Sequence, residues 1–198
     1  MSLPIVIAIF GKAASGKDTF ARDLADNLGD AAHLIVSTTT RPKRECEVEG
    51  REYHFVDEDT FKQRKYSGQF IESNEFRGWY YGIEKSEIVA DKANIAVVDF
   101  HGLVALACSY DIIPIYMNAP FYVRLKRYVQ RDGKLSLEVL RRWAADTIDF
   151  LGVKEFAKQF ETFLQVDSTT CTLPAIQSVQ YMVSYKLEKS KYCGSNLN

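Results

Sequence analysis

Gly11-Lys12-Ala13-Ala14-Ser15-Gly16-Lys17 has the residue types and spacing of an anion-binding loop, G-x-x-x-x-G-K. Glycines let the main chain bend around an anion without Cβ clashes, so several N–H groups point inward, and a following helix adds the partial positive charge of its N-terminus. Lys17 then bridges the β- and γ-phosphates of a nucleotide. The next residue, Asp18, stands where the common pattern has Ser or Thr for Mg²⁺. A carboxylate also holds Mg²⁺, directly or through water, although it adds negative charge beside the phosphates. Thr19 is the alternative hydroxyl, one residue out of register.

A second constellation lies between residues 37 and 88. Ser37-Thr38-Thr39-Thr40-Arg41-Pro42-Lys43-Arg44 offers two guanidinium forks in a short extended segment held by Pro42, suited to bidentate contact with a monophosphate. Tyr53 and Tyr81 add neutral phenolic donors for the same group. Further along, Arg124, Lys126, Arg127, Arg131, Lys134, Arg141 and Arg142 make a second basic segment. In it, Arg124 and Lys126 read as ordinary solvent-facing cations.

These groups need rigid elements behind them. Ile5–Phe10 is a short continuous apolar run ending at a glycine, the pattern of a strand buried on both faces of a parallel sheet. Similar runs recur at His33–Val36, Ile95–Phe100, Ile112–Met117 and Phe163–Val166. Helix-period segments lie between them at Lys17–Leu28, Leu103–Ser109, Tyr122–Gln130, Leu137–Leu151 and Ala175–Leu187. Alternating strands and helices predict βαβ crossovers and an α/β three-layer fold with a mostly parallel five-stranded sheet. The polar stretch from Ser37 to about Ile88 interrupts this alternation, with small strands expected at Tyr53–Val56 and Gln69–Ser73. An insertion of that length should be a functional lid or a small subdomain. Residues 189–198 read as a frayed tail.

The order Ser37-x-Thr39-Thr40-Arg41-x-x-Arg44, then Gly50-x-x-Tyr53-x-Phe55-Val56, then Phe70-Ile71-Glu72, then Tyr81-Gly82, together with the phosphate loop, resembles the guanylate kinases over approximately residues 3 to 167. The resemblance implies a single P-loop kinase domain with core segments 1–36, 89–125 and 143–188, an inserted monophosphate-binding subdomain 37–88 and a lid 126–142. It implies that Gly11, Lys12, Ala13, Ala14, Ser15, Gly16, Lys17, Asp18 and Thr19 bind ATP, and that Ser37, Arg41, Arg44, Tyr53, Glu72, Tyr81, Asp99 and His101 bind GMP. Glu72 would read the base, because guanine presents N1–H and an exocyclic amine side by side to one carboxylate, whereas adenine would place a lone pair against it. Ser37 would donate to guanine O6. Asp99 falls on the first acid of the family's D-x-D-x-x-G region and would orient Mg²⁺-bound water or the acceptor; His101 replaces the second acid and, when neutral, accepts only one hydrogen bond. Ile83 stands where a serine is common. Arg131 and Arg142 match the family's lid arginines, which stabilise phosphoryl transfer together with Lys17.

The activity implied is ATP-dependent conversion of GMP or dGMP to the diphosphate, with Mg²⁺. Asp18, Ile83 and His101 motivate an alternative acceptor, another nucleotide or a phosphorylated small molecule. A non-catalytic guanylate-kinase-like binding module is a third reading, against which the intact Gly11, Gly16 and Lys17 argue.

Composition narrows the remaining classes. The 198 residues carry 25 Lys plus Arg against 26 Asp plus Glu, so no global field steers the chain toward nucleic acid or an anionic membrane. The partners expected are nucleotide substrates, with the chain a monomer or homodimer. With 11 Gly, 5 Pro and 13% aromatics the chain is neither collagen-like nor disordered. Cys46, Cys108, Cys171 and Cys193 are scattered, as reduced thiols would be. No basic leader precedes the first strand, and no apolar run approaches the roughly 20 residues of a membrane span, so a cytoplasmic protein is expected.

Overall fold

A computed structural model describes residues 3–76, 78–132, 143, 150, 152–153, 156 and 159–195, with side chains of 131–132 and 190–195 outside the description. In chain order the strands are β1 (Ile5–Phe10), β2 (Ala32–Leu34), β3 (Thr38–Thr39), β4 (His54–Phe55), β5 (Phe70–Phe76), β6 (Trp79–Glu84), β7 (Ala93–Val97), β8 (Asp111–Asn118) and β9 (Leu164–Asp167). The helices are α1 (Lys17–Leu28), α2 (Glu58–Tyr66), α3 (Phe100–Ala107), α4 (Phe121–Asp132) and α5 (Leu173–Ser195).

A five-stranded sheet runs in the order β2-β7-β1-β8-β9, and every pair is parallel. The apolar run of β1 explains its central place. Because successive side chains point to opposite faces, Ile5, Ile7 and Ile9 enter one core with α1 and α5, while Val6, Ala8 and Phe10 enter the other with α3. All six are buried. Fully burying each large aliphatic side chain contributes roughly 1.5–3 kcal/mol, so this strand anchors both layers.

A second, four-stranded sheet, β4-β3-β6-β5, stands beside the first. Here β6 pairs antiparallel with both β3 and β5. Helix α2 covers one face of it through a single fully buried side chain, Phe61, stacked on Phe70 at 4.4 Å and on Tyr80 at 5.4 Å between ring centroids. Asp57 starts that helix by accepting the Thr60 N–H at 2.7 Å. At Gly82 a Cβ would lie 2.7 Å from the Phe70 ring and 2.8 Å from the Glu72 carbonyl oxygen, so the irregular register between Phe70 and Glu72 requires glycine across from it. Where the chain crosses between sheets, Glu87 accepts the Val36 N–H at 3.0 Å and lies 3.3 Å from His54 and 3.6 Å from His33.

The β1 and α1 bounds coincide with the sequence expectation, and the other core strands fall within a few residues of theirs. Four points differ. The strand expected at Ile95–Phe100 ends at Val97, because Asp99 turns the chain into α3 by accepting the Gly102 N–H at 2.8 Å. The expected tail from Lys189 continues α5 as far as Ser195. Helix α2 and strand β6 were not anticipated. Arg124, read as solvent-facing, is buried: its guanidinium lies over the rings of Trp143 at 5.6 Å and Phe121 at 5.9 Å. The helix expected at Leu137–Leu151 and most of the expected lid lie outside the described residues.

Candidate phosphoryl-transfer site

The loop from Gly11 to Lys17 joins the carboxyl end of β1 to the start of α1, the position at which open parallel sheets receive ligands. A Cβ on Gly11, at φ +153°, would overlap the main-chain oxygen of Met117 on β8. The loop is therefore seated against the neighbouring strand. Lys17 Nζ donates to the carbonyl oxygens of Gly11 at 2.8 Å and Lys12 at 3.3 Å, which holds the ammonium across the bend. Ser15 is buried in the same loop, and its hydroxyl has no hydrogen-bond partner among the described residues. Ala13 is buried, Lys12 and Ala14 are half-buried, and Asp18 and Thr19 are exposed on the first turn of α1.

Arg127 of α4 closes the loop's far side. Its Nη1 donates to Ser168 Oγ and its Nη2 to the Ser168 carbonyl, both at 2.9 Å, while Nη1 also reaches the Ala14 carbonyl at 3.5 Å. The residue thus ties α4 to the phosphate loop and to the loop after β9. Asp167, at the end of β9, accepts from Thr169 N and Oγ1 at 2.9 and 2.6 Å, and these bonds hold its carboxyl below the ordinary range.

The second candidate anion site is built on the small sheet. Tyr53 and Tyr81 meet edge to face at 5.9 Å, and the Arg41 guanidinium lies over Tyr53 at 5.5 Å and Phe55 at 5.8 Å. Arg41 Nη2 pairs with Glu47 at 2.7 Å, and Nη1 donates to the Pro42 carbonyl at 2.8 Å. Both side chains of that pair are largely buried. Burial by itself would push the Glu47 carboxyl up, but the hydrogen bonds from Arg41 and the Arg44 N–H, with the charges of both arginines, together outweigh it and hold the group below its ordinary value. Glu47 also accepts the Arg44 N–H at 2.9 Å, so one carboxylate sets the segment that carries both arginines. The Arg44 side chain is exposed. Sequence reasoning missed Glu47, although an acid six residues after Arg41 in a basic segment was its signal.

Glu72, on β5, sits in a half-buried position where burial, reinforced by the charge of Asp99, pushes its carboxyl up to about 7; a hydrogen bond from the Ile83 backbone opposes the shift. Asp99 is exposed and has both oxygens engaged, one by Gly102 N and the other by Asn74 Nδ2 at 2.7 Å. Ser37 is half-buried, and its carbonyl accepts the His54 N–H. His101 is exposed on the first turn of α3, and among the described residues no hydrogen bond joins it to Glu72 or Ser37. Ile83 is buried in the core cluster that contains Val6 and Phe10. The Arg131 side chain and the whole of Arg142 lie outside the described residues.

Charges on the phosphate-loop helix also reach the small sheet. Burial raises the Tyr53 phenol, and the negative charge of Asp18, from the phosphate-loop helix, raises it further. Likewise Arg22 of α1 acts on Glu52 next to Tyr53, after the hydrogen bonds from Val48 and Arg51 that chiefly hold that carboxyl down. Among the described residues no cluster of three or more His, Cys, Asp and Glu side chains is arranged to hold a metal. None of the helices there is long and apolar enough to cross a membrane. Cys46, Cys108 and Cys171 are free and exposed.

A glycine-lysine loop at the end of the central parallel strand, opposed by an arginine-tyrosine site on a separate small sheet, defines a P-loop α/β protein. The guanylate kinase family profile matches residues 3–180. The chain is 35% identical over 137 residues to a guanylate kinase of Chlamydia felis, covering 67% of each chain. It is 34% identical over 158 residues to one of Chlamydia trachomatis, covering 77% of each. A guanylate kinase of Symbiobacterium thermophilum is 31% identical over 153 residues, 74% of this chain and 72% of that one. The crystal structure of guanylate kinase from Anaplasma phagocytophilum shares the fold, with a TM-score of 0.66 at 19% identity over 94% of this chain and 87% of that chain. The chain belongs to the guanylate kinase family.

Proposed function

We propose that this chain transfers the terminal phosphoryl group of ATP to GMP or dGMP, giving ADP and GDP or dGDP, in the cytoplasm. An oxygen of the acceptor monophosphate attacks the γ-phosphorus, and the bond from that phosphorus to the oxygen bridging it to the β-phosphate breaks, leaving ADP. No general base is needed, because the acceptor phosphate is already ionised near neutral pH. What remains for the protein is alignment and charge neutralisation.

The observation that supports this reading is the glycine-lysine loop at the end of the central parallel strand together with Arg41, Tyr53 and Tyr81 gathered on the small sheet. Lys17 and the loop amides hold the donor phosphates. Arg41, whose guanidinium carries more N–H groups than its bonds to Glu47 and Pro42 use, grips the acceptor phosphate with Arg44, Tyr53 and Tyr81. Ser37 and Glu72 read the base, and Arg131 and Arg142 neutralise charge on the moving group. Mg²⁺ needs only one or two protein carboxylates alongside substrate phosphates, so the exposed Asp18 fits that donor set without a dedicated cage, and the ion would supply neutralisation of the phosphate charge.

A wider acceptor range is favoured by one feature, the apolar Ile83 buried next to Glu72 in place of a hydroxyl. A coupled assay of the purified chain with Mg²⁺-ATP across GMP, dGMP, AMP, CMP and dTMP tests both readings. Turnover of GMP or dGMP above the others is expected. Preference for a nucleotide without guanine's donor pair would transfer the assignment to another acceptor, and no turnover of any purine monophosphate would end the kinase reading.

A further inference from the structure

Strand β5 carries a polar side chain that none of the roles above uses. Asn74 lies two residues beyond Glu72, so both project from the same face of the strand. Across from them on β6, Asn74 pairs with Tyr81 and Glu72 with Ile83, which puts these four residues on one face of the small sheet. Asn74 therefore sits between the phenol assigned to the acceptor phosphate and the carboxylate assigned to the base.

Its amide has a defined direction. Nδ2 donates to Asp99 Oδ2 at 2.7 Å, and because a carboxylate only accepts, the nitrogen must face Asp99 and Oδ1 must face away from it. Asp99 is itself fixed, since its other oxygen caps α3 through Gly102 N at 2.8 Å. Asn74 is exposed, and among the described residues its Oδ1 accepts no hydrogen bond. The result is an aimed acceptor beside Glu72.

Guanine offers three N–H groups on that edge, one at N1 and two on the exocyclic amine. The two oxygens of Glu72 can accept N1–H and one amine hydrogen side by side, which leaves the second amine hydrogen needing its own acceptor. We infer that Asn74 is a specificity-determining residue whose Oδ1, directed by Asp99, accepts that second amine hydrogen. This rests on the acceptor reading proposed above.

The inference separates GMP from IMP, whose base keeps N1–H and O6 but lacks the amine. Steady-state kinetics of the full chain are compared for wild type, Asn74→Ala and Glu72→Gln with each nucleotide, taking the inhibition constant where turnover of IMP is too slow. Asn74→Ala is expected to raise KM for GMP about three- to tenfold, the worth of one hydrogen bond, with kcat and the IMP constant nearly unchanged. An equal loss for both nucleotides would mean that Asn74 only clasps Asp99, and no loss for either would mean that it does not touch the base; both results overturn the inference. Glu72→Gln distinguishes the deeper failure. If it weakens both nucleotides while Asn74→Ala weakens neither selectively, only the role of Asn74 falls; if it alters neither, the acceptor reading itself falls.

Discussion

The proposed donor and acceptor sites are built for the same kind of group by opposite means. The donor loop is main chain: its shape depends on Gly11 lying against the Met117 carbonyl, on the fully buried strand beneath it and on one ammonium held by two carbonyls. The acceptor site is side chain: Arg41 is aimed by Glu47 and two aromatic faces, and Glu72 is tuned by burial and Asp99. Backbone amides recognise phosphate in any nucleotide, so the loop supplies affinity without choice. Side chains on a small sheet can be exchanged one at a time, so the selectivity proposed here is assigned to that sheet.

Four measurements sharpen this contrast. Removing the ammonium held across the donor loop, Lys17→Ala, should lower kcat by about 10³-fold or more with the fold intact by circular dichroism. On the acceptor side, Arg41→Ala should raise KM for GMP about 10- to 100-fold, because it removes charge-assisted bonds and leaves Glu47 in an anion site, while ATP affinity measured by calorimetry is unchanged. Equal loss of ATP binding would show that the two sites are not separable.

The Glu72 carboxyl provides the third. Its pKa in the folded chain, about 7, lies above the ordinary 4.5, so the fold holds its proton more tightly than the unfolded chain does. The associated stability is present below about pH 4.5 and is lost as pH rises through 7. Glu72→Gln should therefore stabilise the nucleotide-free protein at pH 8 by up to about 3 kcal/mol and much less at pH 4.5, read from urea melts at the two pH values. The smallest effect is expected at Ile83, where Ile83→Val should cost about 1 kcal/mol of stability and leave both nucleotide affinities unaltered.

Legibility in the sequence followed the same division. The β1, loop and α1 unit could be read to the residue, because a fully apolar run, a glycine-rich turn and a helix period follow each other without interruption. The small sheet was less visible. Strand β3 has only two residues, and the run Trp79-Tyr80-Tyr81-Gly82 in β6 masks its alternation. Helix α2 buries only Phe61 and so has no apolar stripe to detect, although Asp57 and the acids after it marked its start. Of the residues expected at the acceptor site, Arg41, Tyr53 and Tyr81 lie together in the fold, while the bonds of Glu47 to Arg41 and of Asn74 to Asp99 join residues that only folding brings near. Arg124 failed as a reading for the same reason, since Trp143, 19 residues away, provides the ring that covers it.

The seat of Gly11 against Met117 ties chemistry to strand alignment. That carbonyl lies beside the glycine because Phe10 is paired with Tyr116 and each earlier residue of β1 with its counterpart on β8. Sliding the two strands by a single position would replace the gap with a side chain and leave nowhere for the loop to lie. A molecule that misassembles its central layer thus forfeits its phosphate cradle at once, and catalytic competence reports, in one measurement, that the innermost strands have found their proper neighbours.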